Sequence, residues 1–396
     1  MQFFGDISYS LYLLHFVILT TAIFSQPRLP GRLPSIISVT AKEKVLIFFI
    51  CTVISFLMFV FIEKLMRRLK LKLTYLTVLV TIVVSVGLSS LMMHTANSIV
   101  VDDMQTLRHK AWDAVSESAK LDAGDTDINL EALCFGAVAA EYIDVCGGDS
   151  DVWGKSSDIS ERTHQYDNFQ QKDLIQVECK ENDEKQITGC THIGDVESDT
   201  KVIVYGSSHA AMIASALDAI GKEKHWDIEM VVRFSCPVEY TEEVRQVKSW
   251  NVGTCAPLMD YFLSKAKTAK YAFIAAYYAS AVVDEAVPQH LVIRDAEELV
   301  KDYPNVYFFA DSPSLAFADN PAGETWPMSS LHSMEDIYFP SIKDRMISVK
   351  DAYCDRSSIC YRSIGGLLWS NDTVSHINTT YSITLIPRYL HALRDF

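Results

Sequence analysis

The sequence predicts an α-helical membrane segment of three spans followed by an α/β domain built on a parallel sheet. Three observations carry this. Long uncharged runs crowd the first 93 residues of the 396-residue chain. Beyond residue 200, short β-branched apolar runs alternate with stretches of helical periodicity. At the first of those alternations, Val204, Tyr205, Gly206, Ser207, Ser208 and His209 read as a strand end, a tight turn and a helix start. A chain of this length has room for two or three domains.

The runs 7–24 and 45–62 each hold 18 residues without a formal charge, and the run 73–93 holds 21. A bilayer core takes about 20 residues of helix. The mean hydropathy of +0.11 with 21% charged residues is high for a soluble protein, and the excess lies in these runs. The first run lacks a basic leader and two more follow it, which argues against a cleaved signal peptide. Lys64, Arg67, Arg68, Lys70 and Lys72 mark the link between the second and third runs as cytoplasmic, with a weaker opposing signal from Arg28, Arg32, Lys42 and Lys44. The expectation is therefore a membrane part over 1–93, in contact with the lipid bilayer, and an exported part from 94 onward.

Charge and cysteine usage fit that division. Residues 1–73 carry a net +6, leaving −21 for the remainder. A domain that acidic is not built to hold nucleic acid or an anionic membrane surface. Cys51 falls inside the second run and reads as an inert core thiol. The other eight cysteines all lie in the exported part: Cys134, Cys146, Cys179, Cys190, Cys236, Cys255, Cys354 and Cys360. An even count outside the cytoplasm argues for disulfides, and sequential pairing is the natural grouping. Zinc is the rival reading, but no CxxC pair occurs, so no metal site is expected.

The stretch 94–200 is polar and irregular, a connector stapled by its cysteines, with short helices expected over 104–120 and 130–142. The α/β domain is expected over 201–396. Strands are predicted at 201–205, 228–233, 271–275 and 306–310, with helices at 208–220, 256–269 and 290–302 between them. A short strand at 367–369 and a closing helix over 378–393 end the chain. Strands that are apolar throughout imply a parallel sheet covered on both faces, with reactive groups at the carboxyl ends of the strands.

Ser208 sits at such an end. A serine on a strand-to-helix turn projects from the sheet edge, beside helical N–H groups that can receive an oxyanion. The ordinary alternative is a capping serine. His209 adjoins it in the first helical turn, poorly aimed at Ser208, and reads as a helix-start residue contacting the sheet edge. His376 is the candidate base, in a polar loop after the last short strand, with Asp372 four residues earlier as candidate orienter. An ordinary turn with an Asx cap is the alternative there.

Taken in order, these segments resemble the SGNH hydrolase family, a three-layer α/β fold with serine in a Gly-Asp-Ser block and a late Asp-x-x-His block. Over nearly its whole length the chain resembles the C-terminal part of acyltransferase-3 membrane proteins fused to a periplasmic SGNH domain. Gly5, Ile7, Ser8, Tyr9, Ser10, Leu11, Tyr12, Leu13 and His15 are similar to a motif near the end of that membrane domain, as are Ile62, Glu63, Arg67 and Arg68. Gly206, Ser207, Ser208, His209 and Ala210 match Gly-Asp-Ser-His-Ala with Ser207 in place of the acid. Cys354, Cys360 and the stretch 367–376 match the family's ending, with Thr373 where the acid three before His376 is expected. Cys236 and Cys255 fall where the family places a cysteine pair.

The resemblance implies Ser208 as nucleophile and His376 as base, with Asp372 serving as orienter if the loop bulges. It implies transfer of an acyl group, acetyl above all, to a hydroxyl of a cell-surface glycan such as lipopolysaccharide or peptidoglycan. It places the chain in the bacterial inner membrane with its C-terminal domain in the periplasm. No cofactor is expected on this chain itself; acetyl-CoA is the implied donor of a full-length membrane domain. The earlier membrane helices of the family would come from the rest of a truncated protein or from a separate polypeptide. The alternatives are a glycan O-deacetylating esterase and an inactive, membrane-tethered glycan-binding domain.

Overall fold

The computed structural model describes residues 74–163, 167, 174–236, 238, 240–246, 252–276, 289–310, 312–313, 325–327, 340–370 and 376–396. The chain divides into two compact units, Met1–Asp102 and Asp103–Phe396. In the first, the described residues belong to helix α1 (Thr74–Asp122), a continuous 49-residue helix. The expected runs 7–24 and 45–62, and the acyltransferase-3 motifs at 5–15 and 62–68, lie outside the described residues. The run expected over 73–93 is helical from Thr74, and α1 continues past residue 93 into the polar stretch, so that the helix expected over 104–120 is part of it. Among the described residues no helix is long and apolar enough to cross a membrane.

The second unit opens with short helices. The helix expected over 130–142 is two pieces, α2 (Leu130–Leu133) and α3 (Gly136–Glu141), with α4 (Asp149–Val152) and α5 (Asp158–Thr163) after them. The break falls where Gly136 takes a φ of +59° and a Cβ would meet the Thr384 side chain at 2.6 Å. Asn129 caps α2 by accepting from the amides of Glu131 and Ala132.

The sheet follows. Its strands are β1 (Cys179–Glu181), β2 (Ile187–Gly194), β3 (Lys201–Gly206), β4 (Asp227–Val232), β5 (Tyr271–Ala275), β6 (Val306–Phe309) and, after the separate strand β7 (Thr325–Pro327), β8 (Met346–Ile347). The order is β1-β2-β4-β3-β5-β6-β8, parallel from β4 to β8 and antiparallel at β1 and β2. The parallel sheet expected from the apolar strands is present. It extends further than the α/β stretch read from 201, because the hairpin β1–β2 pairs onto β4. That hairpin is polar, with β1 mostly exposed and β2 mostly half-buried, so its pairing does not show as an apolar run.

Helices α6 (Ser208–Met212), α7 (Ala214–Lys224), α8 (Glu242–Gln246), α9 (Val252–Ala266) and α10 (Gln289–Asp302) occupy the crossovers. Alternation along β3 explains the layering. Val202 and Val204 join one core with Ile228, Met230, Leu217 and Ile220, whereas Ile203 and Tyr205 join a second with Phe262, Leu258 and Leu299. After β9 (Ile359–Tyr361), β10 (Ser363–Ile364) and β11 (Leu367–Leu368), the closing helix is split into α11 (Thr379–Thr384) and α12 (Ile386–Ala392). Pro387, in the first turn of α12, has no N–H to continue a ladder from α11.

Four disulfides join the eight cysteines as sequential pairs: Cys134–Cys146, Cys179–Cys190, Cys236–Cys255 and Cys354–Cys360. One buried ion pair ties the helical parts together. Arg108 on α1 donates to Asp167 at 3.1 Å, and the Thr380 amide of α11 donates to the other carboxylate oxygen at 2.9 Å. Asp167 is 1% exposed. Asp167→Ala strands the Arg108 charge and is expected to destabilise the fold by about 3–5 kcal/mol, read from the denaturant midpoint.

Candidate active site

The site is built on the carboxyl end of β3. Chain order places β4 on one side of β3 and β5 on the other, so the crevice between β3 and β5 is where the winding direction reverses. Ligand and catalytic groups gather at that point in open α/β sheets. Gly206 ends the strand there, opposite Val232 and Ala275. A Cβ on it would lie 2.1 Å from the Ala275 carbonyl oxygen and 2.5 Å from the Ala210 Cβ, so only glycine lets the chain turn this tightly.

Ser207 then takes extended backbone (φ −100°, ψ −152°) and caps α6, its hydroxyl accepting from the His209 amide at 3.4 Å. Its carbonyl accepts from the amides of Ala210 and Ala211. The residue standing in place of an acid therefore serves the turn as a cap. Ser208 is the first residue of α6 and is half-buried.

His376 arrives from the other end of the sequence. The segment carrying it is pinned to β11 and the residues after it. The Asn378 amide donates to the Trp369 carbonyl at 2.7 Å, and the Asn378 side-chain amide donates to the Leu368 carbonyl at 2.6 Å. Ser370 and Ile377 form an antiparallel bridge. On the opposite side, the Ile377 amide donates to the Met212 sulfur on α6 at 3.3 Å. The outcome is a His376 Nε2 to Ser208 Oγ distance of 2.8 Å across 168 residues of sequence.

That contact is the nucleophile–base geometry: unprotonated Nε2 accepts the hydroxyl hydrogen and can take it as Oγ attacks. The structure thus brings together the two residues singled out in the sequence as nucleophile and base. Asp372 and Thr373 lie outside the described residues. His209 does more than abut the sheet edge. It is 3% exposed, and its ring centroid lies 5.1 Å from that of His376, tilted by 49°.

A small pocket of about 20 Å³ opens near the pair, at the ends of β5 and β6. His209, Ala275, Phe309, Tyr353, Ile377 and Tyr389 are among the residues that line it. Its walls combine apolar side chains with the polar groups of His209, Ser312, Tyr353 and Tyr389. Among the described residues no cluster of three or more His, Cys, Asp or Glu is placed to hold a metal ion.

The turn after β4 is tied to the end of β3. The Arg233 amide donates to the Gly206 carbonyl at 3.2 Å, and the Cys236–Cys255 disulfide anchors the turn to α9. Phe234 projects from it, 46% exposed, beside Ser235 at a φ of +63°.

Comparison with known proteins gives one match. The family model described as "SGNH domain (fused to AT3 domains)" matches residues 178–391. No curated protein and no solved structure matches the chain. The matched range begins at β1 and includes both Ser208 and His376.

Proposed function

The chain belongs to the family of SGNH domains fused to AT3 domains, and we propose that it carries acyl groups, acetyl above all, to hydroxyls of a cell-surface glycan through an acyl-serine at Ser208. The observation that supports this most is the 2.8 Å contact between Ser208 Oγ and His376 Nε2 at the carboxyl end of β3. Family membership itself implies activity of the acyl-transferase or esterase type on glycans.

The chemistry runs in two halves. Ser208 Oγ attacks the acyl carbonyl carbon while its proton passes to His376 Nε2. Collapse of the tetrahedral intermediate breaks the bond to the donor's leaving group, which takes that proton from His376. A glycan hydroxyl then attacks the acyl-serine, His376 accepting the proton and returning it to Ser208 Oγ as the ester leaves. Water in place of the glycan hydroxyl makes the same site an O-deacetylating esterase. Ser207 engages the His209, Ala210 and Ala211 amides, so in this proposal the Ser208 amide at the start of α6 is the donor to the developing oxyanion.

The proposed setting is an oxidising one, supported by the four disulfides, and in a bacterium that is the periplasm. The donor half of the reaction, with acetyl-CoA as its source, belongs in this proposal to an AT3-type membrane domain that lies on a longer protein or a separate polypeptide.

Incubation of the full chain with an activated acetyl ester or a serine-directed phosphonate tests the reading by peptide mass spectrometry. The expected result is a covalent adduct on the peptide containing Ser208. A folded chain that acquires no adduct there overturns it.

A further inference from the structure

We propose that His209 and Met212 form a clamp on α6 that positions His376 for Ser208; this rests on the acyl-transfer reading above. A base is useful only while its nitrogen stays on the nucleophile. The imidazole can turn about two side-chain torsions, and a misplacement of about 1 Å costs on the order of 100-fold in rate. Something must therefore restrain both the ring and the backbone that carries it.

Two contacts from one helix do so. The His209 ring, 3% exposed, packs on the His376 ring at a centroid distance of 5.1 Å and an angle of 49°. Tilted ring pairs favour separations of about 4.5–7 Å. One turn on, the Met212 sulfur accepts from the Ile377 amide at 3.3 Å, next to His376 in sequence. A thioether is a weak acceptor, so this bond contributes placement more than energy. Ser208, His209 and Met212 all belong to α6, which is five residues long. The nucleophile and the restraints on its base therefore move as one piece, whatever the surrounding loops do.

His209 acts here through His376 and is a positioning residue. The proton-accepting contact to Ser208 is made by His376. What the clamp uses of His209 is its ring face against His376 in a buried slot. Met212 is likewise buried, at 4% exposure.

The test uses the full chain and a fluorophosphonate probe, measuring maximal labelling rate and probe affinity across a pH series. His209→Ala is expected to lower the maximal rate about 10- to 100-fold with the probe affinity unchanged. His209→Phe is expected to recover most of the rate with the pH midpoint of wild type, because the ring is back while the imidazole is not. Met212→Leu is expected to lower the rate by less than His209→Ala. Wild-type labelling in His209→Ala overturns the clamp. So does a His209→Phe chain that unfolds at the wild-type temperature yet labels as slowly as His209→Ala, since the imidazole itself would then be required. Should His209→Ala fail to fold, His209→Leu replaces it in the comparison with His209→Phe. An unmodified chain that never labels at Ser208 overturns the nucleophile reading and the clamp with it, whereas a chain that labels separates the two.

Discussion

Ser208→Ala is expected to leave no covalent adduct with a serine-directed phosphonate and to reduce ester turnover by several orders of magnitude, to the residual rate that binding and oxyanion stabilisation supply. His376→Ala is expected to do nearly as much, and the double variant no more than either alone. The reason is that the two residues act as one unit: Oγ is a weak nucleophile until a base takes its proton. In a serine hydrolase, removal of either member costs on the order of 10⁶-fold in kcat, about as much as removing the whole set. The 2.8 Å Nε2 to Oγ contact makes the same non-additivity the expected signature here. Turnover of a chromogenic acetyl ester by the three variants checks it. Losses that multiply in the double variant would show that Ser208 and His376 act separately.

Gly206→Ala is expected to have the largest effect among simple glycine substitutions at the site. Its new Cβ would sit 2.1 Å from the Ala275 carbonyl oxygen, a backbone atom of β5 that cannot swing aside. Forcing a methyl group into such a space costs about 3 kcal/mol or more. In a domain of 150–250 residues that corresponds to a fall of roughly 6–12 °C in Tm. Because the displaced strand also frames the Ser208 turn, labelling should fall along with stability. Gly189→Ala supplies the contrast: Gly189 lies in the polar β1–β2 hairpin with no atom within 4 Å of an added Cβ, so its Tm should stay close to wild type. Differential scanning calorimetry of the two variants side by side decides this.

Much of the architecture was legible because it is encoded locally. The run 201–205 and the run 271–275 are apolar on both faces, which only a covered parallel strand requires, and both are strands of the central sheet. Sequential pairing of the cysteines was legible because each pair closes a short loop, from 6 to 19 residues apart. Other elements were hidden for physical reasons. The β1–β2 hairpin earns its place by hydrogen-bonding to β4, and its exposed Lys180, Glu181 and Thr188 give no hydrophobic period. Strand β8 is two residues long, Met346 and Ile347, too short for any pattern. The breaks between α2 and α3 and between α11 and α12 had local signals in Gly136 and Pro387, but the tight approach of Thr384 to Gly136 is a long-range packing fact. The apolar run 73–93 had a helical signal, while its continuation through α1 to Asp122 depended on the absence of a stop that hydropathy does not score.

The sequence by itself determined the kind of chemistry. It offered a serine at a strand-to-helix turn as candidate nucleophile and a histidine in a late loop as candidate base, and the turn's glycine and capping serine are local requirements of the backbone. Only the tertiary structure decided whether the two meet. Their separation of 168 residues is closed by the packing of β11 and α6 around His376, and no local propensity specifies a 2.8 Å contact over that distance. The same holds for His209. Read in sequence it is a helix-start residue, and its ring meets His376 only in the folded chain. Local patterns state which groups are offered, whereas burial and long-range hydrogen bonding, which depend on the whole chain at once, select the ones that touch.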